Sequence, residues 1–156
     1  MNLLLAGGRI RALLRFSFAN LQMVLYRPFL HYASPRLTAG KEIEERFFAC
    51  AATCINVARN IVHICTELHR QSVLTGPYWF IIYTEFFAIL ALVFYVVENP
   101  DKSGVSEILA DASAGRGHLA SMARKSMAAH RVTMALNVSP HLWEPLLSLF
   151  MGSCGE

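Results

Sequence analysis

Between Tyr78 and Val97 the chain runs YWFIIYTEFFAILALVFYVV, and only Thr84 and Glu85 interrupt the apolar and aromatic residues. A stretch like this has two stable homes, a lipid bilayer or the middle of a helical core, because a helix apolar on every side has no face to give to water. A helix from Pro77 to Val97 extends about 31 Å at 1.5 Å per residue, close to the hydrocarbon thickness of a bilayer. Tyr78 and Trp79 sit where interfacial anchors would. Glu85 argues the other way, since a carboxyl at membrane depth costs on the order of 3 kcal/mol. The flanking charges, Arg70 before and Glu98, Asp101 and Lys102 after, give little orientation bias. A central core helix is therefore the leading expectation, with a single membrane span at 77–97 as the alternative.

Composition fits a chain with much surface to hide. Apolar residues make up 54% of its 156 residues and charged ones 16%, against about 25% charged in an average soluble domain. The formal charge of +3 falls short of the basic balance of a nucleic-acid-binding domain. A chain this apolar is expected to bury helix faces against something beyond itself, and to be poorly soluble or oligomeric when isolated.

Helical spacing dominates elsewhere. Ile10, Leu13, Leu14, Phe18, Leu21, Val24 and Leu25 recur at helical intervals over residues 9–27, and Pro28 ends or kinks that helix. The segment 31-HYASPRLTAG-40 has loop chemistry, with Thr38 or Gly40 as a cap for the next helix. From Lys41 to about Val73 neither Pro nor Gly occurs, and Ile43, Phe47, Cys50, Cys54, Val57, Ile61, Ile64 and Leu68 step by three or four, which predicts one long helix. Gly76-Pro77 separates it from the apolar helix, which closes at Asn99-Pro100. Beyond come a short helix over 105–114 capped by Ser103, a turn at Gly115-Arg116-Gly117, a helix from about 117 to 136, and an amphipathic piece over 140–150. No strand-like alternation appears, so the expected fold is all-α, a bundle of five to six helices around one long, very apolar central helix.

Catalytic signals are absent. No Ser-His-Asp order, nucleophile-elbow glycines, phosphate-cradling loop or His/carboxylate metal motif occurs. Cys50 and Cys54 share a helical face, but Cys65 lies about 16 Å from Cys54 along the helix axis, too far to share one ion; these are read as reduced core thiols. Cys154 completes the set of four. Arg116, Arg124, Lys125 and Arg131 spread around their helix as a solvated surface rather than a nucleic-acid face. Three residues are singled out as pocket or core candidates: Trp79, Tyr83 and Glu85. Burial should push the Glu85 pKa upward unless a cation or donor meets it; the expectation is a carboxylate paired to an arginine of a neighbouring helix or placed at the edge of the core, with a functional acid as the alternative.

Four segments in order carry a family resemblance: 21-LQMVLYRPFL-30, 50-CAATCINVARNIVHI-64, Trp79 and Tyr83 in the apolar helix closing on Asn99-Pro100, and 109-LADASAGRGHLASMARKSMAAHRVTMAL-136. Over about residues 20–137 the chain resembles the regulatory, or middle homology, domain of fungal binuclear zinc-cluster transcription factors, in its C-terminal half. The resemblance implies a nuclear, helical regulatory region without catalytic residues, acting through protein partners, through the rest of the same domain, or by sensing a small-molecule effector. The zinc of such regulators belongs to an N-terminal six-cysteine cluster. This chain has no Cys-x-x-Cys, so no cofactor and no direct DNA contact are expected of it. Residues 1–156 are accordingly expected to form a partial regulatory domain.

Overall fold

The computed structural model describes residues 3–70 and 79–137. Helices α1 (Leu3–Tyr26), α2 (Pro35–Thr38), α3 (Glu45–Arg70), α4 (Trp79–Glu98), α5 (Val105–Met122) and α6 (Met127–Asn137) follow one another along the chain, with a 3-10 segment, Arg27–Ala33, after α1. No strand occurs among the described residues. This is the expected all-α bundle.

Helix α3 is its axle. Ala51, Cys54, Ile55, Val57, Ala58, Ile61, Val62, Ile64, Cys65 and Leu68 are buried along it, enough faces to take α1, the 3-10 segment, α4 and α5 at once. Helix α4 lies beside α3 and also receives α5 and α6, burying Ile81, Ile82, Ala88, Ile89, Leu92 and Val96. By length and composition alone α3 and α4 are both apolar enough to cross a membrane, not α4 only, and 56% of the most apolar window of α4 is enclosed by the bundle.

Several boundaries differ from expectation. Helix α3 begins at Glu45, not Lys41, and residues 41–44 are not helical. Thr38 does not cap it: its hydroxyl donates to the Ser34 carbonyl at 2.9 Å, and Gly40 takes a left-handed φ of 71°. Ser103 is not the cap of α5 either. Gly104 holds that position at φ 81° with no side-chain cap, a conformation in which a Cβ costs about 1–2 kcal/mol.

The expected turn at Gly115-Arg116-Gly117 is instead the middle of α5, one continuous helix to Met122. Close packing explains the glycine there. A Cβ on Gly115 would sit 2.9 Å from Ile89 Cγ1 and 3.4 Å from Val62 Cγ2, so its bare backbone lets α5 seat on α3 and α4. The break falls later, at residues 123–126, where Ser126 Oγ accepts from the Ala129 N–H at 3.4 Å. The Gly76-Pro77 break, the 140–150 piece, Tyr78 and Cys154 lie outside the described residues.

The amphipathic stripe of α1 faces the unexpected way. Among the described side chains of α1, Phe16, Ala19 and Met23 are buried, whereas Ile10, Leu14, Phe18, Leu21, Val24 and Leu25 are each more than half exposed. Helix α1 thus has apolar faces on both sides, and only the one carrying small and aromatic residues meets the bundle.

Candidate functional site

The three candidate residues divide between two sides of α4. Trp79 and Tyr83 face a cleft between α4 and α1, while Glu85 points inward to α3 and α5. The helical repeat dictates this, because Glu85 is about 200° around the axis from Tyr83.

The cleft holds about 210 Å³ and is lined from α1 by Asn20, Met23 and Val24 and from α4 by Phe80, Thr84 and Phe87, together with Trp79, Tyr83 and Arg27. Its floor is closed by two contacts. Phe80 meets Phe16 edge to face with centroids 5.7 Å apart, and Thr84 Oγ1 donates to Asn20 Oδ1 at 3.2 Å. At one end the Arg27 guanidinium lies over the Phe87 ring, 5.3 Å from its centroid, a cation–π contact that leaves the cation near the mouth. Trp79 is 64% exposed and Phe87 41%, so these aromatics form a surface rather than the ordinary core that helical spacing suggests.

Glu85 is fully buried. Its partner is a histidine rather than the expected arginine: His118 Nδ1 of α5 lies 3.0 Å from Glu85 Oε1, and the Cys65 thiol of α3 packs against the same carboxyl. Glu85 Oε2 has no hydrogen-bond partner, a thiol being only a weak donor. Burial pushes the Glu85 pKa up, and the His118 hydrogen bond opposes that rise without cancelling it. Burial, reinforced by the neighbouring carboxyl, pushes the Cys65 thiol well up. His118 keeps a partly exposed edge and stacks on His69 with centroids 5.4 Å apart.

Cys54 is buried beside Met23, with sulfurs 4.0 Å apart, and burial pushes its thiol up to about 11. Among the described residues no three His, Cys, Asp or Glu side chains gather as metal ligands would. Arg124, Lys125 and Arg131 are exposed, while Arg116 donates to Asn137 Oδ1 at 2.8 Å and ties α5 to the end of α6.

Of the residues singled out in the sequence, Trp79 and Tyr83 line the cleft and Glu85 does not; His118 is not among them, because its signal is weak: one histidine in a stretch with helical periodicity. The wall that α1 provides is not legible there either, because which of two apolar faces turns inward depends on the shape of the neighbours.

No protein-family model matches the chain, and no solved structure matches it. Curated yeast proteins do. Over 134 residues, 83% of this chain, it is 38% identical to Activator of stress genes 1 of Saccharomyces cerevisiae, covering 14% of that protein. It is also 38% identical over 82 residues to Activator of stress genes protein 1 of Candida albicans, 53% of this chain and 8% of that one. A third relative, a Saccharomyces cerevisiae protein named as a transcriptional regulatory protein, is 36% identical over 89 residues, 57% of this chain and 12% of that one. The similarity is to fungal transcription regulators, and the chain spans a small part of each.

Proposed function

We propose that this helical bundle is a transcription-regulatory module that works by binding other protein segments rather than by catalysis. The observation that carries this reading is the 38% identity, over 83% of the chain, to a protein named as a gene activator. The exposed apolar surface of α1 and α4 supplies a means, since a contiguous apolar surface with polar surroundings is the physical mark of an interaction site. Binuclear zinc-cluster membership, nuclear location and a place within a longer regulatory domain belong to the same proposal. A small-molecule effector is the weaker version of it, because about 210 Å³ lies below the roughly 300–1,000 Å³ of typical ligand pockets.

The test is a tethering experiment. The chain is fused to a heterologous DNA-binding domain in yeast and reporter output is measured beside that of the DNA-binding domain alone. The reading predicts a several-fold change in output, up or down, that is lost in Leu14→Asp/Leu21→Asp at equal protein level. Output matching the DNA-binding domain alone would contradict it. The membrane alternative is checked on the untagged protein: release by alkaline carbonate fits the bundle, and retention in the pellet fits a span.

A further inference from the structure

Resting on the small-effector version of the reading above, we propose that the cleft between α1 and α4 binds a one-ring aromatic carboxylate, its ring between the aromatic walls and its carboxylate on Arg27. Helices α1 and α4 each pack on α3 and touch one another at Phe16–Phe80 and Asn20–Thr84. Arg27 meets Phe87 further along, so the two helices run the same way past the cleft, from a closed aromatic end to a cationic one. Between Asn20 and Arg27 the chain advances about 10 Å.

Size sets the bulk of the ligand. An apolar cavity of about 150 Å³ takes a benzene ring, and this cleft holds about 210 Å³. One ring with a short tail fits, and a drug-sized molecule does not. The lining selects what kind of ring. Trp79, Phe80, Tyr83 and Phe87 are all aromatic, and aromatic pairs in offset or edge-on contact gain more than their buried area alone supplies. Met23 adds a thioether from the α1 side, a group that contacts ring edges favourably. A saturated ring fills the same room without those gains.

Charge selects the tail. No Asp or Glu lines the cleft. Asn20 and Thr84 satisfy one another, whereas Arg27 is exposed and has no ion-pair partner among the described residues. Its guanidinium is held over the Phe87 ring, 5.3 Å from the centroid, which leaves the N–H groups in its plane for an acceptor. That planar fork matches a carboxylate. A neutral aromatic would leave the cation unanswered, and a phosphate ester would bring about two charges to one arginine.

The experiment titrates the purified full chain with 3-phenylpropionate in ligand-observed NMR at 0.15 M salt. Two twins run beside it: 3-phenylpropanamide has the same ring without the charge, and 3-cyclohexylpropionate has the same charge without the aromatic face. The acid is expected to bind saturably with a Kd on the order of 0.1–1 mM. It should bind about tenfold more tightly than the amide and severalfold more tightly than the cyclohexyl acid. Arg27→Gln should lower the acid to the affinity of the amide and leave the amide unmoved, which also shows that the variant keeps its fold. Val24→Trp, at an exposed position of the cleft wall, should fill the cleft and abolish binding of all three, with a circular dichroism spectrum like that of the wild type. The proposal is overturned by an acid that does not saturate, by an amide or cyclohexyl acid that binds as tightly, by an acid affinity indifferent to Arg27→Gln, or by binding that survives Val24→Trp. The reporter separates this site from the broader reading. Binding as predicted, with tethered output unmoved by saturating acid, removes the effector role and keeps the site; tethered output that departs from the control while the acid fails to bind removes the site and keeps the protein-binding reading.

Discussion

Glu85 is the residue at which burial and charge conflict most sharply. Its folded pKa is raised by burial, so the fold favours the neutral carboxyl. Its contribution to stability is therefore greatest below the unfolded carboxylate value, about 4.3, and is lost as pH rises through the raised folded value. Glu98 runs the opposite way. The hydrogen bonds from Arg36 and Ser34 lower its pKa, so its contribution is present above the unfolded value and lost as pH falls through the folded one. Glu85→Gln, neutral at every pH, isolates the first effect: in urea unfolding the variant should gain on the wild type as pH rises from about 4.3, whereas parallel profiles would show that Glu85 is not perturbed. His118→Ala removes the hydrogen bond between His118 Nδ1 and Glu85 Oε1 and should cost about 1–3 kcal/mol in the same assay. The buried thiols give a separate check. Iodoacetamide labelling followed by mass spectrometry should modify Cys50 well before Cys54 or Cys65, whose raised pKa values and burial withhold the thiolate.

At the scale of elements, Gly115 decides how closely α5 can lie on α3 and α4. Gly115→Ala improves local helix propensity, yet the added methyl meets Ile89 at 2.9 Å. Overpacking should win, lowering stability by about 1–3 kcal/mol in thermal or urea unfolding; a variant more stable than wild type would contradict this packing. The end of α4 is tied down by Asn99, whose Nδ2 donates to the Ala33 carbonyl at 2.9 Å, and by Glu98 with Ser34 and Arg36. Stacking of Phe29, Tyr32 and Phe47, with neighbouring centroids 5.2–6.4 Å apart, fixes the 3-10 segment on α3. Much of this was legible in advance: Pro28 ended the first helix, the Pro-free stretch gave α3, and Asn99-Pro100 closed α4. What could not be read was tertiary in origin. A Gly-Arg-Gly sequence reads as a turn in isolation, yet here it is mid-helix, with Gly115 where a Cβ would crowd Ile89. Likewise, Phe16, Ala19 and Met23 were outvoted by a longer aliphatic stripe that the bundle leaves outside.

For the whole molecule, the apolar composition resolves into two populations. One fills the core between α3, α4 and α5; the other lies outside on α1 and α4 with arginines at its border. That division explains how a chain with 54% apolar residues forms a bundle and still exposes large apolar side chains. It also explains why the membrane question arises: the same α4 that fills the core shows aromatics on its outer side. Whether α4 belongs to the core is the claim on which the rest depends, and amide hydrogen exchange of the lipid-free chain tests it most directly. The bundle predicts that Ala88–Val96 exchange among the slowest amides, together with Ala58–Leu68 of α3, and that added vesicles change them little. Rapid exchange of α4 without lipid, slowed only when vesicles are present, would contradict it.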